Sequence, residues 1–181
     1  MRKILCAALI ALAPFTARAV VDIYAGASAS LGGSVTTMPG DLSNITNRAN
    51  SFGAMVGADI PFFRIEGEYN YLMTQNLNIH AAMANAYFRF LPTPLMRPYV
   101  GVGLGTVLGG TVGDTGDISS QQNSMAYQGM AGMTFDLVGT PLLMDVEGRV
   151  FYAPNVYEAP MGIGDIGFMQ YDLRAKLRYV F

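Results

Sequence analysis

From Met169 to Phe181 the chain alternates. Odd positions are Met169, Tyr171, Leu173, Ala175, Leu177, Tyr179 and Phe181; even positions are Gln170, Asp172, Arg174, Lys176 and Arg178, broken only by Val180. A helix turns about 100° per residue and would scatter both sets, whereas a strand has period two and places them on opposite faces. The same pattern predicts eight strands. They run roughly Asp22–Leu31, Ser51–Ile60, Phe63–Met73, Asn78–Leu91, Arg97–Leu108, Met125–Leu137, Leu142–Tyr152 and Gly167–Phe181.

The connections fall into two kinds. Ile60-Pro61-Phe62, Pro92-Thr93-Pro94 and Gly139-Thr140-Pro141 are short and carry proline, which fixes φ and offers no N–H to a ladder. Residues 32–50, 74–77, 109–124 and 153–166 are richer in Gly, Asn, Ser, Thr and Asp. The two kinds alternate along the chain, so both termini fall on the short-turn side. Transmembrane barrels share that layout, with short periplasmic turns and longer external loops.

The charges sharpen the reading. One parity of each strand is apolar, as in Phe52/Ala54/Val56/Ala58/Ile60 and Ala84/Ala86/Phe88/Phe90. The other carries Asp59, Arg64, Glu66, Glu68, Arg89, Asp136, Asp145, Glu147, Arg149, Asp172, Arg174, Lys176 and Arg178. A lipid-facing Arg or Lys at mid-membrane costs about 2–4 kcal/mol, so a bilayer would enforce this segregation. A soluble barrel would segregate its faces too, with charges outward and a core built largely of alanine. The chain's two ends favour the membrane.

At the N-terminus, Arg2 and Lys3 precede an apolar run from Ile4 to Ala13, and Ala17-Arg18-Ala19 fits a small-x-small cleavage site. Residues 1–19 therefore read as a secretory signal peptide and 20–181 as a single barrel domain. Cys6 lies inside the leader, so the mature chain has no thiol for a disulfide or a metal. Without Arg2, Lys3 and Arg18, eight basic residues face thirteen acidic ones, and no basic run exists to neutralise nucleic-acid phosphates. No stretch is long and apolar enough for a transmembrane helix.

Pro98-Tyr99-Val100-Gly101-Val102-Gly103-Leu104-Gly105 resembles the Pro-Tyr-x-Gly-x-Gly-x-Gly strand of small bacterial outer-membrane β-barrels, the group of OmpA-like, OmpX-like and opacity-type surface proteins. Asn85-Ala86-Tyr87-Phe88-Arg89-Phe90 is similar to the segment just upstream in that group, with Arg89 where Asp is expected. The terminal Phe181, with apolar residues at every second position before it, resembles the group's C-terminal strand. The resemblance implies an all-β, eight-stranded antiparallel up-and-down transmembrane β-barrel in a bacterial outer membrane. It also implies contact with outer-membrane lipid and lipopolysaccharide, and recognition of the strand ending in Phe181 by the assembly machinery. Gly101, Gly103 and Gly105 share the inward parity with Tyr99. A nearly bare wall there would make room for Arg64, Arg149, Arg174 and Arg178, in a lumen of seven acidic and six basic groups read as an ion-pair network.

Catalytic chemistry is sparse. His80 is the sole histidine, near the external end of strand four, with no Ser or Asp beside it in sequence. Glu66 and Glu68 sit two apart on one face and read first as partners of luminal arginines, second as an acid/base pair. Gly101–Gly105 is no dinucleotide fingerprint, because no helix follows. Asp114, Asp117, Glu158 and Asp165 match no calcium loop, and Asn44-Ile45-Thr46 is a glycosylation sequon by pattern only. Tyr24, Tyr69, Tyr71, Tyr152 and Tyr179 lie near strand ends, where rings favour a membrane interface, although Tyr24 has the inward parity. No catalytic, cofactor-binding or metal residue is assigned. The expected function is non-enzymatic: envelope structure, with four surface loops and an external ligand, where one exists, at 32–50, 109–124 and 153–166. The alternatives are a small ion or solute channel and, behind it, a lipid-modifying enzyme. A luminal gap through both mouths marks the channel; His80 beside a Ser and a carboxylate on the lipid face marks the enzyme.

Overall fold

The computed structural model describes residues 21–38, 47–74, 77–90, 96–112, 116–118, 124–158 and 165–181. Its eight long strands are β1 (Asp22–Met38), β2 (Asn50–Asp59), β3 (Phe63–Met73), β4 (Leu77–Arg89), β5 (Met96–Val112), β6 (Met125–Asp136), β7 (Leu142–Glu158) and β8 (Asp165–Val180). Each pairs antiparallel with the next. The barrel closes where β8 pairs with β1, from Tyr24 opposite Val180 to Met38 opposite Gly167. Closure leaves no open edge, the condition a bilayer imposes on any sheet that spans it. Two short pieces, Asn47–Arg48 and Gly116–Ile118, extend the ladders of β1 and β5 at the loop end.

Alternation sets the faces as the sequence predicts. Along β3 exposed and buried residues alternate, with Phe63, Ile65 and Tyr69 outward and Arg64, Glu66, Glu68 and Asn70 inward. On β8, Leu173 is 48% exposed while its neighbour Arg174 is 0%. The outer wall is apolar and the charged residues are the core.

The turns at the end bearing both termini are tight. Ile60 and Phe63 exchange backbone hydrogen bonds of 2.8 and 3.1 Å around Pro61-Phe62. In the β6–β7 turn, Thr140 N–H donates to Leu137 O at 3.0 Å, and Gly139 takes a φ of 82° that an L side chain resists. The Pro92-Thr93-Pro94 turn lies outside the described residues, as do the expected signal peptide with Cys6, the sequon pattern at Asn44 and the loop around Asp114.

At the opposite end the expected boundaries need correction. Strands β1, β5 and β7 continue through Met38, Val112 and Glu158, so 32–38, 109–112 and 153–158 are strand and not loop. Irregularities accompany these extensions. Register shifts fall at Leu31 in β1, beside Leu108 in β5, and between Ile166 and Phe168 in β8. A bulge inserts one residue and so exchanges the two faces beyond it. Before Leu31 the inward residues of β1 are even-numbered, as in Tyr24 and Ser28; beyond it Gly33 and Val35 stand opposite the inward Asp172 and Gln170.

Candidate functional site

The lumen is solid and layered. At the end bearing the termini, Arg178 grips both oxygens of Asp145 and reaches Asp59 at 3.1 Å. Arg64 adds a bond of 3.1 Å to Asp145, and Arg89 one of 3.4 Å to Asp59. Arg97 pairs with Asp136 at the mouth. Arg97 brings the inner bases to seven against seven carboxylates among the described strand residues, one more base than the sequence reading counted.

The middle layer mixes ions with phenols. Lys176 lies 3.3 Å from Glu66 and 3.0 Å from Glu147. The hydroxyls of Tyr24 and Tyr87 donate to Glu66 at 2.7 and 2.8 Å, and that of Tyr99 to Glu147 at 3.0 Å. Tyr24 is therefore a luminal residue and not part of an interfacial belt. The Arg64 guanidinium sits 3.8 Å from the Tyr87 ring centroid and 4.6 Å from that of Tyr99. Those π faces accept the cation where Arg64 Nε and Nη2 have no hydrogen-bond partner.

In the third layer Arg149 and Arg174 both bridge Glu68 and Asp172, at 2.9–3.4 Å. Asn70, Asn85, Gln128, Ser51, Ser28 and Gln170 complete the network. Glu66 and Glu68 are thus ion-pair partners, Glu66 of a lysine and Glu68 of two arginines. Both carboxylates are held as acceptors in this network, Glu66 by Tyr24, Asn85, Tyr87 and Lys176 and Glu68 by Asn85, Gln128, Arg149 and Arg174.

Towards the loop end the inner face becomes apolar. Val35, Leu72, Ile79, Ala81, Met83, Val107, Ala126, Phe151 and Phe168 form one buried cluster, with Phe151 and Phe168 stacked at 5.5 Å. An apolar cap inside the barrel was not expected from the sequence. Its trace was there in the outer strand halves, where Leu72, Ile79 and Phe151 occupy the parity that elsewhere carries charge. A cavity of about 10 Å³, room for one water, lies between cap and network beside Asn70, Arg149, Phe151 and Phe168.

The glycines of β5 fill a different role from the one expected. A Cβ on Gly101 would meet Tyr87 Cδ1 at 2.4 Å and Met130; one on Gly103 would meet Asn85 and Gln128; one on Gly105 would meet Met83. The bare wall receives side chains of the adjoining strands, and the arginines enter only indirectly, through the ring of Tyr87.

The outside carries two aromatic zones. Phe62, Phe63, Phe88 and Phe90 with Tyr179 and Phe181 ring the short-turn end, in contacts of 5.2–5.4 Å. Tyr69, Tyr71, Tyr127, Tyr152 and Tyr171 lie towards the loop end on outward positions. His80 joins this second zone. It faces outward opposite Tyr71, with the rings stacked at 4.5 Å, and Tyr69 Oη lies 2.5 Å from Nδ1. Its partners are two phenols, not the serine and carboxylate that would mark an enzyme.

No family model matches the sequence, and no curated protein sequence matches it. Solved structures do. The chain is similar to Neisserial surface protein A, with 17% identity over 88% of this chain and 97% of that one, and a TM-score of 0.68. The outer membrane enzyme PagL is similar at 14% identity, 84% and 97% coverage and a TM-score of 0.51. For the N-terminal β-barrel domain of Pseudomonas aeruginosa OprF the values are 13%, 86%, 97% and 0.51. Similarity at these identities is similarity of fold. The chain has the fold of the small eight-stranded outer-membrane β-barrels.

Proposed function

We propose that this protein is a non-enzymatic barrel of a bacterial outer membrane, contributing to envelope structure and presenting its loop ends to the exterior. The observation that carries the reading is the pairing of an apolar outer wall with a lumen closed twice over, by ion pairs and by the apolar cap. An outer wall bearing Val56, Ile65, Val102, Leu104 and Leu173 suits lipid and would aggregate in water.

The filled lumen speaks against the channel, since the ion-paired side chains and the apolar cap that fill it are almost wholly buried. The phenolic surroundings of His80 speak against lipid hydrolysis of the Ser-His-carboxylate kind. Lipopolysaccharide is the lipid such a wall would meet in its outer leaflet. The assembly machinery would engage the strand ending at Phe181, and an external ligand would meet the ends of β1, β5 and β7 with their loops.

Fractionation tests the location. The protein should enter the outer-membrane fraction and migrate faster on gels when unheated, because a closed barrel resists detergent. A soluble, heat-independent band would overturn the reading. Planar-bilayer recordings test the closed lumen, and regular unitary steps from the wild-type protein would favour the channel.

A further inference from the structure

The outward wall at the loop end carries one arrangement twice. On β8, Met169 and Tyr171 lie two residues apart on the same face, and the Tyr171 hydroxyl donates to Met169 Sδ at 2.6 Å. On β6, Met125 and Tyr127 have the same spacing, and the Tyr127 hydroxyl donates to Met125 Sδ at 3.8 Å. Strand β7 joins the two pairs, because Tyr152 stands opposite Tyr127 on one side and Met169 on the other. Two thioethers and three phenols of neighbouring strands thus share one patch, and Met125 within it is 53% exposed.

Spacing alone does not produce the contact. Met73 also lies two residues from a tyrosine at the loop end, but the ring of that residue, Tyr71, stacks on His80 instead. Met133 stands between Pro98 and Val146, and Met144 between Phe135 and Leu177. These three methionines are 37–44% exposed, so they match the patch in access and differ in their neighbours. Met55, Met83 and Met130 are buried inside the barrel.

A thioether is a weak hydrogen-bond acceptor, but peroxides oxidise it to a polar sulfoxide. The reaction needs a proton for the oxygen that departs, and water supplies little of it at an apolar wall. A phenol already in contact with the sulfur can supply it. The hydrogen bond uses one sulfur lone pair and leaves the other for attack.

We propose that Met169 and Met125, each with its own tyrosine, are sites of oxidation to the sulfoxide by hydrogen peroxide, the phenol serving as proton donor. The free lone pair of Sδ attacks one peroxide oxygen. The S–O bond forms as the O–O bond breaks, and the departing hydroxide takes the phenol proton and leaves as water. The hydroxysulfonium then returns its proton to the phenolate, which restores the tyrosine. Sulfur is oxidised by two electrons, and the peroxide is reduced. The hydroxyl is left beside a sulfoxide oxygen, a far better acceptor than the thioether it replaces. The patch so consumes peroxide at the rim and becomes polar as it does.

The other outward methionines supply the controls. The barrel is reconstituted in phosphatidylcholine vesicles and exposed to millimolar hydrogen peroxide, and sulfoxide at each methionine is followed by peptide mass spectrometry. Met169 and Met125 should oxidise several-fold faster than Met73, Met133 and Met144. Met73 controls for depth, since it lies at the same end. Tyr171→Phe keeps the ring and removes the proton, so it should slow Met169 several-fold and leave Met125 at its wild-type rate. Tyr127→Phe should do the converse. Equal rates at Met73, Met125 and Met169 would mean that access alone decides, and would overturn the proposal. So would phenylalanine variants that keep the heat-shifted mobility and oxidise at wild-type rates. If a variant fails to insert, the wild-type comparison of Met169 and Met125 with Met73 decides by itself. The same comparison in detergent micelles keeps the result separate from the outer-membrane reading.

Discussion

Arg178 and Asp145 form a two-pronged ion pair, Nε donating to Oδ2 at 2.8 Å and Nη2 to Oδ1 at 2.9 Å. The residues come from β8 and β7, and both are nearly inaccessible to solvent. Forked geometry satisfies both carboxylate oxygens at once, which makes such pairs stronger than single contacts. Breaking a buried pair costs more than the pair contributes, because the survivor is left charged and unpaired. Arg178→Met should therefore destabilise the barrel by about 3–5 kcal/mol. In urea unfolding from lipid vesicles, the cycle with Asp145→Leu should show a coupling of about 1–3 kcal/mol, since each change removes the other's partner. Additive losses would mean that the two side chains do not act together.

Neighbours on β8 give the sharpest test of inside against outside. Leu173→Arg should cost about 2–4 kcal/mol, the penalty of a cation facing lipid near mid-membrane. Arg174→Leu should cost about 3 kcal/mol, near the lower end for a broken buried pair, because Arg149 still reaches Glu68 and Asp172. A nitroxide at 173 should be quenched by oxygen and shielded from a water-soluble nickel complex. Exposure of that label to the nickel complex would reverse the faces and make the protein a soluble barrel.

The parity of charges made the barrel legible from the sequence, since Asp59, Arg64, Glu66, Glu68 and the bases of β8 share one phase with no lipid-facing exception. Phe63–Met73 matches its strand residue for residue, being framed by a proline turn and unbroken alternation. What alternation could not show lies beyond the bulges. At Leu31 and Leu108 the phase changes by one residue, and nothing in the local composition marks the slip. The apolar cap is marked only by parity: Ile79, Phe151 and Phe168 share the phase of the inward charges, while their apolar character alone points to lipid. His80 could be placed near the rim, but its stacking on Tyr71 depends on cross-strand register, which alternation within one strand does not fix.

Two glycine substitutions should behave oppositely. Gly101→Ala pushes a methyl to within 2.4 Å of a Tyr87 ring that is pinned by Glu66 on one side and Arg64 on the other. Its expected cost is about 1–3 kcal/mol, as for other overpacked cores. Gly148→Ala meets nothing closer than Ala131 O at 3.8 Å, an ordinary van der Waals contact. Relief of glycine's backbone entropy should leave it neutral or stabilising by up to about 1 kcal/mol. Vesicle unfolding curves measure both, and equal losses would contradict the packing of β5 against β4.

Phe181 closes the chain at the short-turn rim. Its backbone N–H donates to Ile23 O at 2.9 Å, and its ring packs on Tyr179 at 5.2 Å while remaining 78% exposed. So exposed a ring contributes little to folding, so its deletion should leave refolding in detergent nearly unchanged. Insertion in cells should nevertheless fall several-fold, with secretion across the inner membrane intact, if the terminal aromatic is read during assembly. Undiminished insertion of the truncated protein would remove that role.

The two luminal barriers lie in series, and that order governs how a leak could be made. Arg174→Ala withdraws a long side chain from the third polar layer, but the stacked Phe151 and Phe168 still close the lumen above it. Phe168→Gly opens the cap, yet beneath it Arg149 and Arg174 still hold Glu68 and Asp172 across the barrel. An ion crossing either single variant must still pass the intact barrier, so each should remain silent in planar bilayers. The double variant removes both and joins them through the small cavity beside Arg149 and Phe151. It should show unitary conductance, cation- or anion-biased according to which luminal charges are left unpaired. Current through Arg174→Ala alone would show that the apolar cap does not seal. Silence of a double variant that still folds, as judged by its heat-shifted gel mobility, would place the barrier lower, among Lys176, Arg64 and the tyrosines.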